Sequence, residues 1–216
     1  EYMRQALAAW QAQGVSFYGV CTGYLHTPHQ AGIIENMLRQ RMPAFVMVDP
    51  VMADNGAFYS GLSEATAQAM RTLAAYASVI TPNVTEAALL TGQAGLLRGP
   101  LSDADVRALL DGLLALGTKA AVVTGCFLAQ ENMHYVYGRS ADGPVFRFAY
   151  RHSAVRRFGT GDTFSAVLAG CLMRGQSLEE SASAAVRFLG RAFEQAQSQP
   201  SCEDGFALES LLGELP

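Results

Sequence analysis

The stretch Phe158-Gly159-Thr160-Gly161-Asp162-Thr163-Phe164-Ser165-Ala166 sets two glycines and one carboxylate ahead of an apolar continuation. It reads as a tight turn running into a helix. Glycine allows backbone angles that other residues resist and lets a ligand approach the main chain closely. The first turn of a helix carries unpaired N–H groups and partial positive charge, and so attracts phosphate. A carboxylate at such a place suits one kind of chemistry. Asp162 would take a proton from a hydroxyl while the helix start holds a migrating phosphoryl group. Taken alone, the same residues also describe a plain turn with an Asp favoured by the helix dipole.

Four more polar residues fall at or just past the ends of short apolar runs: Tyr24, Asp49, Thr81 and Thr124. The runs 15–21, 44–50, 78–83 and 121–125 read as buried strands. Helical patterns separate them. Residues 2–13 form one, and a second runs from the Thr27 cap and Pro28 to about Arg41. A third covers 63–76, a short one begins at Asn83 and carries Glu86, and another runs from the capping Ser102 to near Gly117. Strands joined by helices are expected to be parallel, with their carboxyl ends on one side of the sheet. Residues 132–138 and 144–150 alternate in character around Asp142-Gly143 and predict an antiparallel hairpin. Helices over 161–174, 177–197 and 206–213 close the chain. The expected architecture is one α/β domain over 1–216. Its sheet is doubly wound and mainly parallel, with helices on both faces and an antiparallel hairpin at one edge. The four strand ends and the glycine turn then share one rim.

Composition removes several other classes of function. Of 216 residues, 50% are hydrophobic and 16% charged, which suits a compact fold. The net charge is −4 and no basic cluster exceeds Arg156-Arg157, so a nucleic-acid partner is not expected. Lys119 is the only lysine, which excludes a phosphate loop ending in Gly-Lys-Ser/Thr. Cys21, Cys126, Cys171 and Cys202 lie far apart without metal-ligand spacing. The first three have apolar neighbours and read as small core residues, which suits a reducing cytoplasm. No apolar run is long enough to span a membrane. The chain opens inside an amphipathic helix, Glu1 to Leu7, with no leading methionine and no cap.

Four stretches, in order, resemble a known family. They are Thr22-Gly23-Tyr24; Asp49-Pro50-Val51-Met52 followed by Asn55-Gly56; Ile80-Thr81-Pro82-Asn83 with Glu86-Ala87; and Gly159-Thr160-Gly161-Asp162. Together they resemble the ribokinase-like (PfkB) kinases, and within them the vitamin B6 kinase branch. The resemblance covers nearly the whole chain, but the family's opening βα segment has no match, so a family member lacking that segment is expected. The implied reaction is ATP-dependent phosphorylation of the 5′-hydroxymethyl group of pyridoxal, pyridoxamine or pyridoxine.

By the same resemblance, Asp162 is the general base and touches the substrate. The N–H groups of Gly159, Thr160 and Gly161 form the anion hole. Asp49 and Glu86 hold Mg²⁺ directly or through water, Asn83 and Thr124 meet phosphates, and Thr81 lines the nucleotide side. Tyr24 and Tyr59 contact the substrate. The segment 150–158, with Arg156-Arg157, runs over the nucleotide. Mg²⁺ with ATP is the implied cofactor. A monovalent cation is left open, and a homodimer is the expected assembly. Hydroxymethylpyrimidine kinases share the Asp-Pro-Val-Met and Thr-Pro-Asn stretches, their bacterial members often with Cys where Asp162 stands, and they or another ribokinase-like small-molecule kinase remain an alternative. A binding module without turnover is another. Replacing a positioned general base costs roughly 10²–10⁴-fold in rate. Asp162→Asn is therefore expected to lower steady-state turnover by at least about 100-fold, and near-parental turnover would remove Asp162 from that role.

Overall fold

In the computed structural model the four apolar runs become adjacent parallel strands. The structure describes residues 1–151, 157–198 and 205–215; His152, Arg156 and Cys202 lie outside them, as does most of the stretch expected over the nucleotide. Strands β1 (Gly19–Thr22), β2 (Phe45–Val48), β5 (Val79–Ile80), β6 (Ala120–Leu128), β7 (Met133–Ser140) and β8 (Phe146–Tyr150) form a six-stranded sheet in that spatial order. β1, β2, β5 and β6 pair in parallel, and β6–β7–β8 pair antiparallel. The intervening β3 (Ala53–Asp54) and β4 (Ala57–Phe58) make a separate small hairpin.

The parallel strands follow one another in chain order, so right-handed crossovers place their helices on one face. These are α2 (Pro28–Gln40), α3 (Glu64–Ala74), α4 (Val84–Leu90) and α5 (Asp103–Ala115), which meet Val46, Val48, Ile80, Ala121 and Val123 of the sheet. The alternate residues Met47, Val79, Ala120 and Val122 face the other way. They are covered by α6 (Thr160–Met173) and α7 (Leu178–Ser198). Helices thus lie on both faces, as the alternation of side chains along each strand requires. α1 (Tyr2–Ala12) buries no residue of its own. The caps at Thr27 and Ser102 are present as capping boxes with Gln30 and Asp105.

Two expectations need correction. The first strand begins at Gly19 rather than Val15, and residues 15–18 are exposed. Cys21 is exposed too, and is not a core residue as Cys126 and Cys171 are. Both follow from position: β1 pairs only with β2 among the described strands, and the side chains over Gly19 are Met173 at the end of α6 and Phe45 of β2. A single-sequence reading sees the apolar run but not the missing cover. The stretch after β2 turns back on itself as the β3–β4 hairpin. Asn55 (φ 50°) and Gly56 (φ 79°) sit at its turn, where a two-residue Asn-Gly connection favours that conformation.

Gly138 of β7 lies opposite Phe146 of β8, and a Cβ at 138 would overlap the Phe146 ring. Overpacking of this kind typically costs about 1–3 kcal/mol. Gly138→Ala is expected to lower stability to urea by that order, and a smaller residue at 146 is expected to recover part of the loss. An unchanged urea midpoint for Gly138→Ala would show that the ring moves aside freely.

Candidate active site

The hydrogen-bond ladder continues past the strand ends and builds the rim. Asp49 N donates to Thr22 O (3.0 Å), Thr81 N to Val48 O (3.0 Å), and Thr124 N to Pro82 O (3.0 Å). Asn83 also bridges to Thr124 in parallel fashion. Asp49 and Thr81, one residue past β2 and β5, therefore stand side by side with Thr124, which lies inside β6 because that strand runs on to Leu128 rather than ending at 125 as expected.

The start of α6 faces this rim. Gly159 caps the helix at φ 81°, in the left-handed region that favours glycine. Thr163 N is the first to reach back, to Gly159 O at 2.9 Å. The N–H groups of Thr160, Gly161 and Asp162 thus precede the helix's own ladder. A Cβ at Gly161 would meet nothing within 4 Å, so the space over this turn is open. Thr160 Oγ1 donates to Arg157 O (2.9 Å), and the Arg157 guanidinium donates to Ala196 O (3.2 Å), which ties the turn to α7.

Asp49 is held by a residue that the sequence reading passed over. Ser165 Oγ donates to Asp49 Oδ2 at 2.8 Å and lies 3.3 Å from Thr81 Oγ1. Ser165 follows Asp162 by three residues, so both project from one side of α6. That spacing was the available signal. Burial pushes the Asp49 carboxyl up to about 6, opposed by the Ser165 bond and assisted by the charge of Asp162. Thr81 is only 4% exposed, between the sheet and α6, with its hydroxyl against Ser165.

Glu86 is engaged by the main chain around it. It is 3% exposed, and its carboxylate accepts from Met52 N (2.9 Å), Ala53 N (3.4 Å) and Asn83 N (2.9 Å). It caps α4 in a box with Asn83 and pins the chain that follows β2. Asn83 is similarly engaged: its Oδ1 accepts from Glu86 N (2.9 Å) and its Nδ2 donates to Ala53 O (2.8 Å). Asn-x-x-Glu before a helix is itself a capping signature. Thr124 is half-buried at the bulge where β6 shifts register between Val123 and Cys126.

Tyr24 and Tyr59 are 52% and 38% exposed. The Tyr24 hydroxyl meets His26 Nδ1 at 3.0 Å, and His26 Cε1 lies 3.4 Å from where a Cβ on Gly61 would stand. The loop after β1 and the loop after β4 thus approach each other beside the rim. Among the described residues no group of three His, Cys, Asp or Glu side chains could hold a metal alone. Asp49, with one oxygen held by Ser165 and a second carboxylate nearby, does fit a cation such as Mg²⁺. That ion takes one or two carboxylates and keeps the rest of its shell for water and phosphate. The arrangement places an anion-attracting turn, a solvent-facing carboxylate and a buried one together, as phosphoryl transfer to a hydroxyl requires.

Residues 3–205 match the family described as phosphomethylpyrimidine kinase. Over 205 residues the chain is 31% identical to the pyridoxine/pyridoxal/pyridoxamine kinase of Bordetella avium, spanning 89% of this chain and 66% of that protein. Over 150 residues it is 32% identical to the hydroxymethylpyrimidine/phosphomethylpyrimidine kinase of Rhizobium meliloti, spanning 69% of this chain and 54% of that one. The crystal structure of pyridoxal kinase from Lactobacillus plantarum superposes with a TM-score of 0.87 at 31% identity, over 99% of this chain and 76% of that chain. The chain thus spans about half to two thirds of the length of these curated relatives.

Burial also pushes Glu86 up, to about 8, against the pull of its three amide donors. The folded chain therefore holds the Asp49 and Glu86 protons more tightly than the unfolded chain does. The stabilisation this gives is complete below about pH 4. It is lost as pH rises through about 6 for Asp49 and about 8 for Glu86. Glu86→Gln removes the upper part. The melting temperature of the parent relative to Glu86→Gln is expected to fall between pH 5 and 9, measured by calorimetry, and a pH-independent gap would refute the assignment.

Proposed function

Because the chain belongs to the phosphomethylpyrimidine kinase family, we propose that it transfers the γ-phosphoryl group of ATP to the 5′-hydroxymethyl of a vitamin B6 vitamer. The observation that carries this reading is Asp162 on the open first turn of α6, electrostatically coupled to the buried Asp49. Asp162 takes the proton of the substrate hydroxyl as that oxygen attacks phosphorus. The new O–P bond forms, the bond to the bridging oxygen breaks, and ADP leaves. The first-turn N–H groups, from Thr160 onward, face the charge that spreads over the transferred group. Asp49 is the residue that would hold the Mg²⁺ accompanying ATP, which supplies neutralising charge on the phosphates when bound.

Glu86 and Asn83 keep the Met52–Ala53 backbone and the start of α4 in place around that ligand. Tyr24 offers an aromatic face to a pyridine ring, its hydroxyl fixed by His26. Tyr59 stands on the neighbouring loop. The names of the Bordetella and Lactobacillus relatives support a vitamer as acceptor.

A second reading on the same site is phosphorylation of hydroxymethylpyrimidine, favoured by the Rhizobium relative and the family description. Both acceptors present a hydroxymethyl group on a flat nitrogen heterocycle, so the base and the anion turn serve either. A panel of pyridoxal, pyridoxamine, pyridoxine and hydroxymethylpyrimidine with Mg²⁺ and ATP, read by phosphorylated product, separates them. Higher kcat/KM for a vitamer is expected. Higher kcat/KM for hydroxymethylpyrimidine would move the assignment to the second reading, and ADP binding without product from any of the four would leave a binding module.

A further inference from the structure

Ser165 touches three elements at once. It belongs to α6, and its hydroxyl reaches Asp49 at the end of β2 (2.8 Å) and Thr81 just past β5 (3.3 Å). The residue is 9% exposed and Thr81 4%, so this contact is made out of water. An ionised carboxylate can only accept, and a serine hydroxyl has one proton to donate. When Asp49 is ionised, Ser165 must spend its proton on Oδ2, and the contact with Thr81 must then have Thr81 as donor. The result is a directed chain from Thr81 to Ser165 to Asp49, in which each bond polarises the next.

We propose that Ser165 is a positioning residue for the cation, acting through Asp49. By occupying Oδ2 it turns Oδ1 toward the rim, and by standing one helical turn from Asp162 it sets the spacing between the two carboxylates. A serine that served only to pack α6 on the sheet would need neither the directed bond nor the second hydroxyl behind it. This inference rests on the reading of Asp49 as the Mg²⁺ ligand in a phosphoryl-transfer site.

The test uses Mn²⁺ as the spectroscopic stand-in for Mg²⁺, titrated with ADP present and followed by electron paramagnetic resonance. Ser165→Ala is expected to weaken Mn²⁺ binding by about tenfold, the scale of losing one hydrogen bond to a charged group. Ser165→Thr, which keeps the hydroxyl, is expected to restore it. Thr81→Val is expected to weaken binding in the same direction by less, and the Ser165→Ala/Thr81→Val double variant to match Ser165→Ala alone. In turnover assays the Ser165→Ala defect should be relieved by raising Mg²⁺, which a loosened helix would not show.

Unchanged Mn²⁺ affinity in Ser165→Ala overturns the inference, as does a parent protein that binds no Mn²⁺ with ADP. If Ser165→Ala fails to fold, Thr81→Val decides: weaker Mn²⁺ binding supports the chain and unchanged binding overturns it. A parent that binds Mn²⁺·ADP yet phosphorylates none of the four acceptors would sink the proposed activity and leave this inference standing. A parent that phosphorylates a vitamer while Ser165→Ala binds Mn²⁺ normally would do the reverse.

Discussion

A parallel strand cannot end without leaving its last N–H and C=O groups to a neighbour or to water. Here the groups go to neighbours. Asp49 and Thr81, one residue past β2 and β5, each donate from the main chain to the adjacent strand at 3.0 Å, and Thr124, inside β6, donates to Pro82 just past β5 at 3.0 Å. This short extension of the ladder is what the site depends on. It aligns the strand ends along one rim and fixes the main chain from which Asp49 projects and the Pro82-Asn83 corner that starts α4. Glu86 then returns from that helix to hold the amides of Met52 and Ala53. The backbone around Asp49 is thus tied from the sheet side and from the helix side.

The charge arrangement follows from this rigidity. Asp49 and Glu86 are buried carboxyls held above their ordinary pKa values, each with desolvation as the leading cause. Burying a carboxylate without a counter-charge costs free energy. The protein meets part of that cost with Ser165 for Asp49 and three amides for Glu86. Opposite them stands the first turn of α6, whose N–H groups carry partial positive charge. A site that joins a carboxylate seeking a cation to a helix start seeking an anion has the polarity that a metal–phosphate pair would satisfy.

The two faces of the sheet are covered differently, and this shapes the periphery. α2 to α5 pack densely on one face, while α6 and α7 cover the other only as far as β2 and the end of α6. β1 is left with one paired edge among the described strands, and Gly19 is approached there by Met173 and by Phe45 of β2. The same asymmetry explains why Cys21 is exposed although it sits in an apolar run.

Much of this is legible in the sequence. Helix starts at Thr27 and Ser102, the hairpin around Asp142-Gly143 and the turn at Gly159 depend on residues close in sequence, so local chemistry determined them. The order of the motifs from Thr22 to Asp162 determined the family. Pairwise roles were decided only by the tertiary structure. Asn83 and Glu86 carry types suited to phosphate and metal, and folding also brings the backbone of residues 52–53 to them. Thr81 ends an apolar run like its neighbours, but α6 closes over it. Ser165 attracts no notice in a helix until β2 places Asp49 against it, 116 residues away in sequence. Residue type and spacing state what a side chain is able to bind. Which of those bonds it makes is decided by the groups that distant segments bring within reach, and by the water they displace.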